Sequence, residues 1–229
     1  MKNIIYFLFL YLIPVFSQGQ DGSKLIEELM TKMNLVKDYS VNAKIKSDIP
    51  LIKILSVNAT IYFKQKDKFR IISKGIAILP KQGFTDITKI LREKDTYSSI
   101  LTGTEIIQNA RTEIITILPG ADTSDLILAK LWVDASNDLM LKSQLTTRSS
   151  GTVTAEYKYS TQKEFGLPES MLFTMDVKKF KIPKGLATDI NRTSDAESNK
   201  PVPKVGTVFI QLNNYVINKG INDDVFLQK

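Results

Sequence analysis

From residue 55 onward most of the chain alternates between apolar and polar positions with a period of two. Leu55, Val57, Ala59, Ile61 and Phe63 fall on one side, with Ser56, Asn58, Thr60 and Lys64 on the other. Phe69 and Ile71 resume the pattern after Lys66 and Asp67. Val153, Ala155, Tyr157 and Tyr159 alternate with Thr154, Glu156 and Lys158; Met171, Phe173, Met175 and Val177 repeat it, and Val208, Ile210 and Leu212 close the series. A strand turns successive side chains to opposite faces, so this pattern predicts antiparallel strands with one buried and one solvated side. Roughly ten strands follow from such runs. Turn residues at Ser149-Ser150-Gly151 and Gly166-Leu167-Pro168 predict hairpins joined as a meander.

Two stretches follow a helical period instead. Leu25, Ile26, Leu29, Met30, Met33 and Val36 share one face near the start, opposite Lys24, Glu27, Glu28 and Lys32. Asp21 or Ser23 is placed to cap that helix. Within residues 83–94, Phe84, Ile87, Ile90 and Leu91 share a side, predicting a second helix, and a third helical turn is expected over residues 122–128. These pieces are too few to ring a parallel barrel but enough to cover one sheet face. The expected class is α+β: one curved antiparallel sheet, an unclosed half-barrel, with helices over its concave face.

The first residues read as an address. Lys2 is the one charge within residues 1–17, and a short apolar run ends before the polar Gln18-Gly19-Gln20-Asp21. That is the pattern of a cleavable secretory signal peptide, with the cut expected after Ser17. The run is shorter than the ~18–20 residues of a membrane-spanning helix. Taking 17 residues from 229 leaves 212 in one expected domain, 18–229, destined for the periplasm. Residues 188–204, polar and without apolar period, are expected to form a mobile loop between late strands.

Composition removes several functions. The chain has no cysteine and no histidine, which excludes disulfides, thiolate chemistry, histidine-dependent triads and the usual zinc sites. Paired carboxylates could still hydrolyse a substrate, but a predominantly apolar strand face is a poor setting for them. A non-catalytic protein without cofactor or metal is expected. The net charge of +7 is spread along the chain and forms no nucleic-acid-binding stripe. Asp223-Asp224 have the chemistry to hold a cation, but they read as a solvated terminal turn in preference to a site.

The order of these elements, and the stretches Leu131-Trp132-Val133-Asp134, Leu139-Met140-Leu141-Lys142, Glu156-Tyr157-Lys158-Tyr159 and Leu167-Pro168, resemble the LolA-type outer-membrane lipoprotein carriers. The tail from Tyr215 to Phe226 is similar to endings in that group. The resemblance implies a hydrophobic cavity for acyl chains of lipoproteins or lipids in transit to the outer membrane. It implies an inner-membrane transporter that loads the carrier and an outer-membrane acceptor that unloads it. An envelope signalling or scaffold module contacting a membrane protein is the alternative on the same fold. The arginine that latches the lid in that group has no match: the corresponding strand carries Lys44 and Lys46.

The expected cavity wall takes Leu29, Met30 and Met33 from the first helix, and Val57, Ala59, Ile61, Phe63, Phe69 and Ile71 from the early strands. Phe84, Ile87 and Leu91 come from the second helix, and Leu131, Leu141, Tyr157, Met171, Phe173 and Met175 from the later strands. Methionine side chains make a soft wall suited to a cargo that must be released. Trp132 is out of phase with Leu131 and Val133, which points it to the convex side or an edge.

Overall fold

The computed structural model describes residues 21–50, 55–65, 68–75, 86–120, 125–176 and 205–227. The signal sequence expected at residues 1–17, Phe84, residues 121–124 and the loop expected at 188–204 lie outside the described residues.

All ten strands join one antiparallel sheet: β1 (Asp38–Asp48), β2 (Val57–Lys64), β3 (Lys68–Ser73), β4 (Tyr97–Ile107), β5 (Ala110–Pro119), β6 (Leu126–Asp134), β7 (Leu139–Thr147), β8 (Gly151–Lys158), β9 (Ser170–Asp176) and β10 (Val205–Ile217). Their order is β3-β2-β1-β10-β9-β8-β7-β6-β5-β4. Each strand lies beside its sequence neighbours except at two places. The first and last strands, β1 and β10, pair through Ile45 and Ile210 among other residues. β3 and β4, consecutive in sequence, are the two free edges, so the barrel stays unclosed. The third helical turn expected over residues 122–128 does not reach Leu126–Leu128, which begin β6, where Leu126 pairs with Thr147; Ile127, Trp132 and Val133 in this strand are residue types that favour a pleated, half-buried surface.

Two helices cover the inner face: α1 (Ser23–Met33), before β1, and α2 (Asp86–Arg92), in the chain between the two free edges. Asp21, rather than Ser23, steadies the start of α1: its Oδ1 accepts from the Ser23 backbone N–H at 2.9 Å and from the Ser23 hydroxyl at 2.6 Å. Those bonds hold its carboxyl below the usual carboxylate range. Gly22 passes close to β5, where an added Cβ would stand 2.8 Å from Ile115 Cγ2. A larger residue at that point would push the helix off the sheet. α1 buries Ile26, Leu29 and Met30, α2 buries Ile87 and Leu91, and both meet the inward residues of β1, β2 and β5–β10 in one core. A short last helix, α3 (Asp224–Leu227), sits beside β3, where Arg70 Nη1 donates to the Val225 carbonyl at 2.8 Å.

Candidate functional site

The strand alternation tells which side chains face inward but not how far along the barrel each one sits. In the middle of the sheet the helices and inward side chains meet without space: Ile61, Leu91, Leu131 and Phe173 are completely buried. Space remains at one end, among the first residues of β1, β3, β7 and β9, the last of β2 and β8, and Leu212 and Tyr215 of β10. There a cavity of about 120 Å³ lies under the C-terminal half of α1 and under α2.

Of the residues expected to line it, Met30, Met33, Phe63, Phe69, Ile87, Tyr157 and Met171 do so. Leu29, Ala59, Ile61, Leu91, Leu131, Phe173 and Met175 belong to the closed core instead, and Ile71 packs against that core. Val57 and Ala59 border a separate, open depression lined also by Asn42, Lys44, Asn58 and Thr60. Leu141 is displaced by a register shift: Trp132 pairs with Lys142 but Val133 pairs with Met140, leaving Leu141 as the extra residue. The bulge turns Met140 into the cavity and keeps Leu141, though buried, out of the core cluster.

Trp132 lies on the outer face. Its indole N–H donates to Glu105 Oε2 at 2.5 Å, and Lys142 Nζ stands 4.4 Å from the ring centroid. These two neighbours explain how a residue on the convex side is only 6 % exposed.

The feature that periodicity did not reveal is a group of four tyrosines. Tyr39, Tyr157, Tyr159 and Tyr215 all line the cavity. Tyr39 stacks on Phe63 at 5.2 Å between centroids and meets Tyr215 edge-on at 5.6 Å. Three of the hydroxyls are bound within the protein. Tyr159 donates to the Met140 carbonyl at 2.8 Å, Tyr215 donates to the Pro168 carbonyl at 2.7 Å, and the Tyr157 hydroxyl pairs with Ser143 Oγ at 2.9 Å. Burial pushes the Tyr157 phenol up to about 12, and raises Tyr39, Tyr159 and Tyr215 as well. All four are neutral at physiological pH. The lining is thus apolar and aromatic, with Arg92 and Thr88 of α2 as its polar margin. Tyr159 continues the apolar phase of Val153 to Tyr157, whereas Tyr215 is out of phase with Val208, Ile210 and Leu212 and reaches the cavity past a register shift between β1 and β10, where Asn214 has φ +57°.

The lid is held by contacts at its ends. Tyr97 of β4 donates to the Leu91 carbonyl at 3.2 Å. Lys94 Nζ reaches Glu27 of α1 at 2.7 Å, and Lys32 of α1 donates to the Asn137 carbonyl. The Glu27 and Lys94 side chains are more than half exposed, so their pairing contributes little, ~0.2–1 kcal/mol. Lys44 and Lys46 are exposed and take no part in this latch. The tail holds the opposite end of the α1–β1 connection. Asn218 accepts from the Lys37 N–H at 2.7 Å and donates to the Leu35 carbonyl at 2.9 Å. Asp223 is engaged by Lys64 at 2.7 Å and Lys68 at 2.8 Å, which hold its carboxyl at about 2. That aspartate is therefore a strap contact. Among the described residues no helix is long and apolar enough to cross a membrane.

No protein-family model and no curated protein matches the chain. Solved structures do. A DUF1329 family protein from Desulfovibrio piger superposes with a TM-score of 0.57 at 15% identity, over 90% of this chain and 98% of that one. A domain assigned to outer membrane lipoprotein sorting, from Vibrio parahaemolyticus, gives 0.60 at 10% identity, over 89% and 95%. A LolA superfamily protein from Nitrosomonas europaea gives 0.55 at 11% identity, over 90% and 97%. The chain therefore has the LolA-type fold, an unclosed antiparallel half-barrel with helices on its inner face. At these identities the likeness speaks for the fold alone, and function has to be argued from the site.

Proposed function

We propose that this protein is a periplasmic carrier that shelters the acyl chains of lipoproteins on their way to the outer membrane. The observation that carries this reading is an apolar, methionine- and aromatic-lined cavity at the rim of the half-barrel, roofed by two helices that are separate from the sheet. Each methylene group taken from water contributes about 0.8 kcal/mol, so partial cover of one chain already holds a cargo reversibly. The cavity of about 120 Å³ is well below the ~300–1,000 Å³ of sites that enclose a small molecule. In this reading the structure is the closed, unloaded state, and loading displaces α1 and α2 outward. The exposed Glu27–Lys94 pair presents a low barrier to that step, and the soft side chains of Met30, Met33, Met140 and Met171 re-pack around whatever enters. Nothing in such a cycle asks for catalysis or a cofactor. A loading transporter in the inner membrane and an acceptor at the outer membrane complete the route.

Native mass spectrometry with lipid extraction, on protein purified from its own envelope, tests the proposal. A co-purifying acylated peptide or lipoprotein is the expected result. Free lipid alone would shift the cargo to lipid transport, and clean protein that takes up no added acyl chain would overturn the reading.

A further inference from the structure

The four cavity tyrosines are not equivalent. Tyr157, Tyr159 and Tyr215 have hydroxyls committed to Ser143, Met140 and Pro168 respectively. Among the described residues the Tyr39 hydroxyl has no hydrogen-bond partner, and burial is the one influence acting on its ionisation. Its ring is fixed between Phe63 and Tyr215. Tyr39 is half-buried, and no sealed side-chain polar atom among the described residues lacks a partner, so this uncommitted hydroxyl stands at accessible surface and not inside the packed wall. The group is a donor held in a preset orientation on the cavity wall.

We propose that Tyr39 is the polar anchor of the cavity and donates a hydrogen bond to the neutral carbonyl of an acyl ester or amide. This rests on the reading of the cavity as an acyl-chain site and adds what the site recognises at the head of the chain. A hydrocarbon wall alone accepts any chain at any depth. One fixed donor sets the depth of insertion and distinguishes an acyl group from a plain alkane. Burial keeps Tyr39 a neutral phenol, able to donate at any physiological pH. An ester or amide carbonyl accepts that bond without bringing a charge into the aromatic lining, whereas a carboxylate would carry its desolvation cost with it. Glycerolipids and acylated amino-terminal cysteines both present such carbonyls.

The test is displacement of a fluorescent apolar dye from the full chain by methyl laurate, laurate and tridecane, in the wild type, Tyr39→Phe and Tyr215→Phe. Methyl laurate is expected to bind wild type more tightly than tridecane by roughly two- to twelve-fold, the value of one neutral hydrogen bond. Tyr39→Phe should erase that difference and leave the melting temperature unchanged or raised, because the hydroxyl holds no protein partner. Tyr215→Phe should lower the melting temperature yet keep the ester preference. Equal binding of ester and alkane by wild type, or an ester preference surviving in Tyr39→Phe, overturns the anchor and leaves the acyl site standing. Laurate binding most tightly and indifferently to Tyr39→Phe overturns it in favour of the Arg92 guanidinium on the same cavity. Failure of every ligand in every variant overturns both readings. A diacylated peptide and phosphatidylglycerol micelles then compete with methyl laurate; either one losing affinity in Tyr39→Phe meets the prediction, and the tighter names the source of the carbonyl.

Discussion

Ser143→Ala isolates a polar pair sealed behind the cavity wall. Ser143 is 1 % exposed, Tyr157 is 5 % exposed, and their oxygens lie 2.9 Å apart on the adjoining strands β7 and β8. Alanine removes a single oxygen, so the cavity it leaves is negligible. What it changes is the Tyr157 phenol, which then faces apolar neighbours without a partner. A buried hydroxyl left unmatched costs ~1–3 kcal/mol. Tyr157→Phe leaves the Ser143 hydroxyl in the same position and is expected to cost a similar amount. The double variant removes both groups and should be less destabilised than the sum of the two, by ~1–2 kcal/mol of coupling. Urea unfolding at pH 7, followed by circular dichroism, measures all four proteins, and the midpoint shifts are compared at unchanged slope. If Ser143→Ala falls within ~0.5 kcal/mol of wild type, or the cycle is additive to that margin, the reasoning fails. In that case water reaches Tyr157 through the cavity, and the site is wet rather than apolar.

Three further outcomes follow from the same geometry. Gly22→Ala should destabilise the fold by ~1–3 kcal/mol, because the new Cβ meets a fully buried isoleucine at 2.8 Å; a melting temperature equal to wild type would show that α1 floats above β5. From neutral pH to about pH 10 stability should be flat and then fall as the pH rises toward 12, since the fold holds the Tyr157 phenol neutral to about 12 while the unfolded chain ionises near its ordinary 10. Tyr157 alone accounts for roughly 2–3 kcal/mol of that loss, and Tyr157→Phe should flatten the decline in urea midpoints measured across that range. The single tryptophan sits on the outer face between Glu105 and Lys142, so acyl ligands that fill the cavity should leave its emission unshifted. A shift on loading would place the ligand on the convex side.

Much of the architecture was legible because a strand has a strict period. Val57 to Phe63, Val153 to Tyr159 and Val208 to Leu212 announced their inward faces, and the two amphipathic helices announced that something apolar lay beneath them. Turn residues did the same for the β7–β8 hairpin, where Gly151 has φ +73°. The absence of histidine and cysteine rules out whole classes of chemistry on composition alone.

Position along the barrel axis was not legible. Phe63 and Phe173 read alike in sequence, yet the first lines the cavity and the second is packed shut, because only the register of ten strands and the placement of two helices decide where space is left. A one-residue bulge exchanged Leu141 for Met140, a change that no alternation can report. The commitment of three tyrosine hydroxyls and the freedom of the fourth depend on two carbonyls and one serine hydroxyl brought from other strands and loops, up to 47 residues away in the case of Tyr215 and Pro168. Periodicity is a local property of the backbone and is written in the sequence. Depth, register and hydrogen-bond partnership are relations between distant segments, and they come into being only when the chain closes on itself.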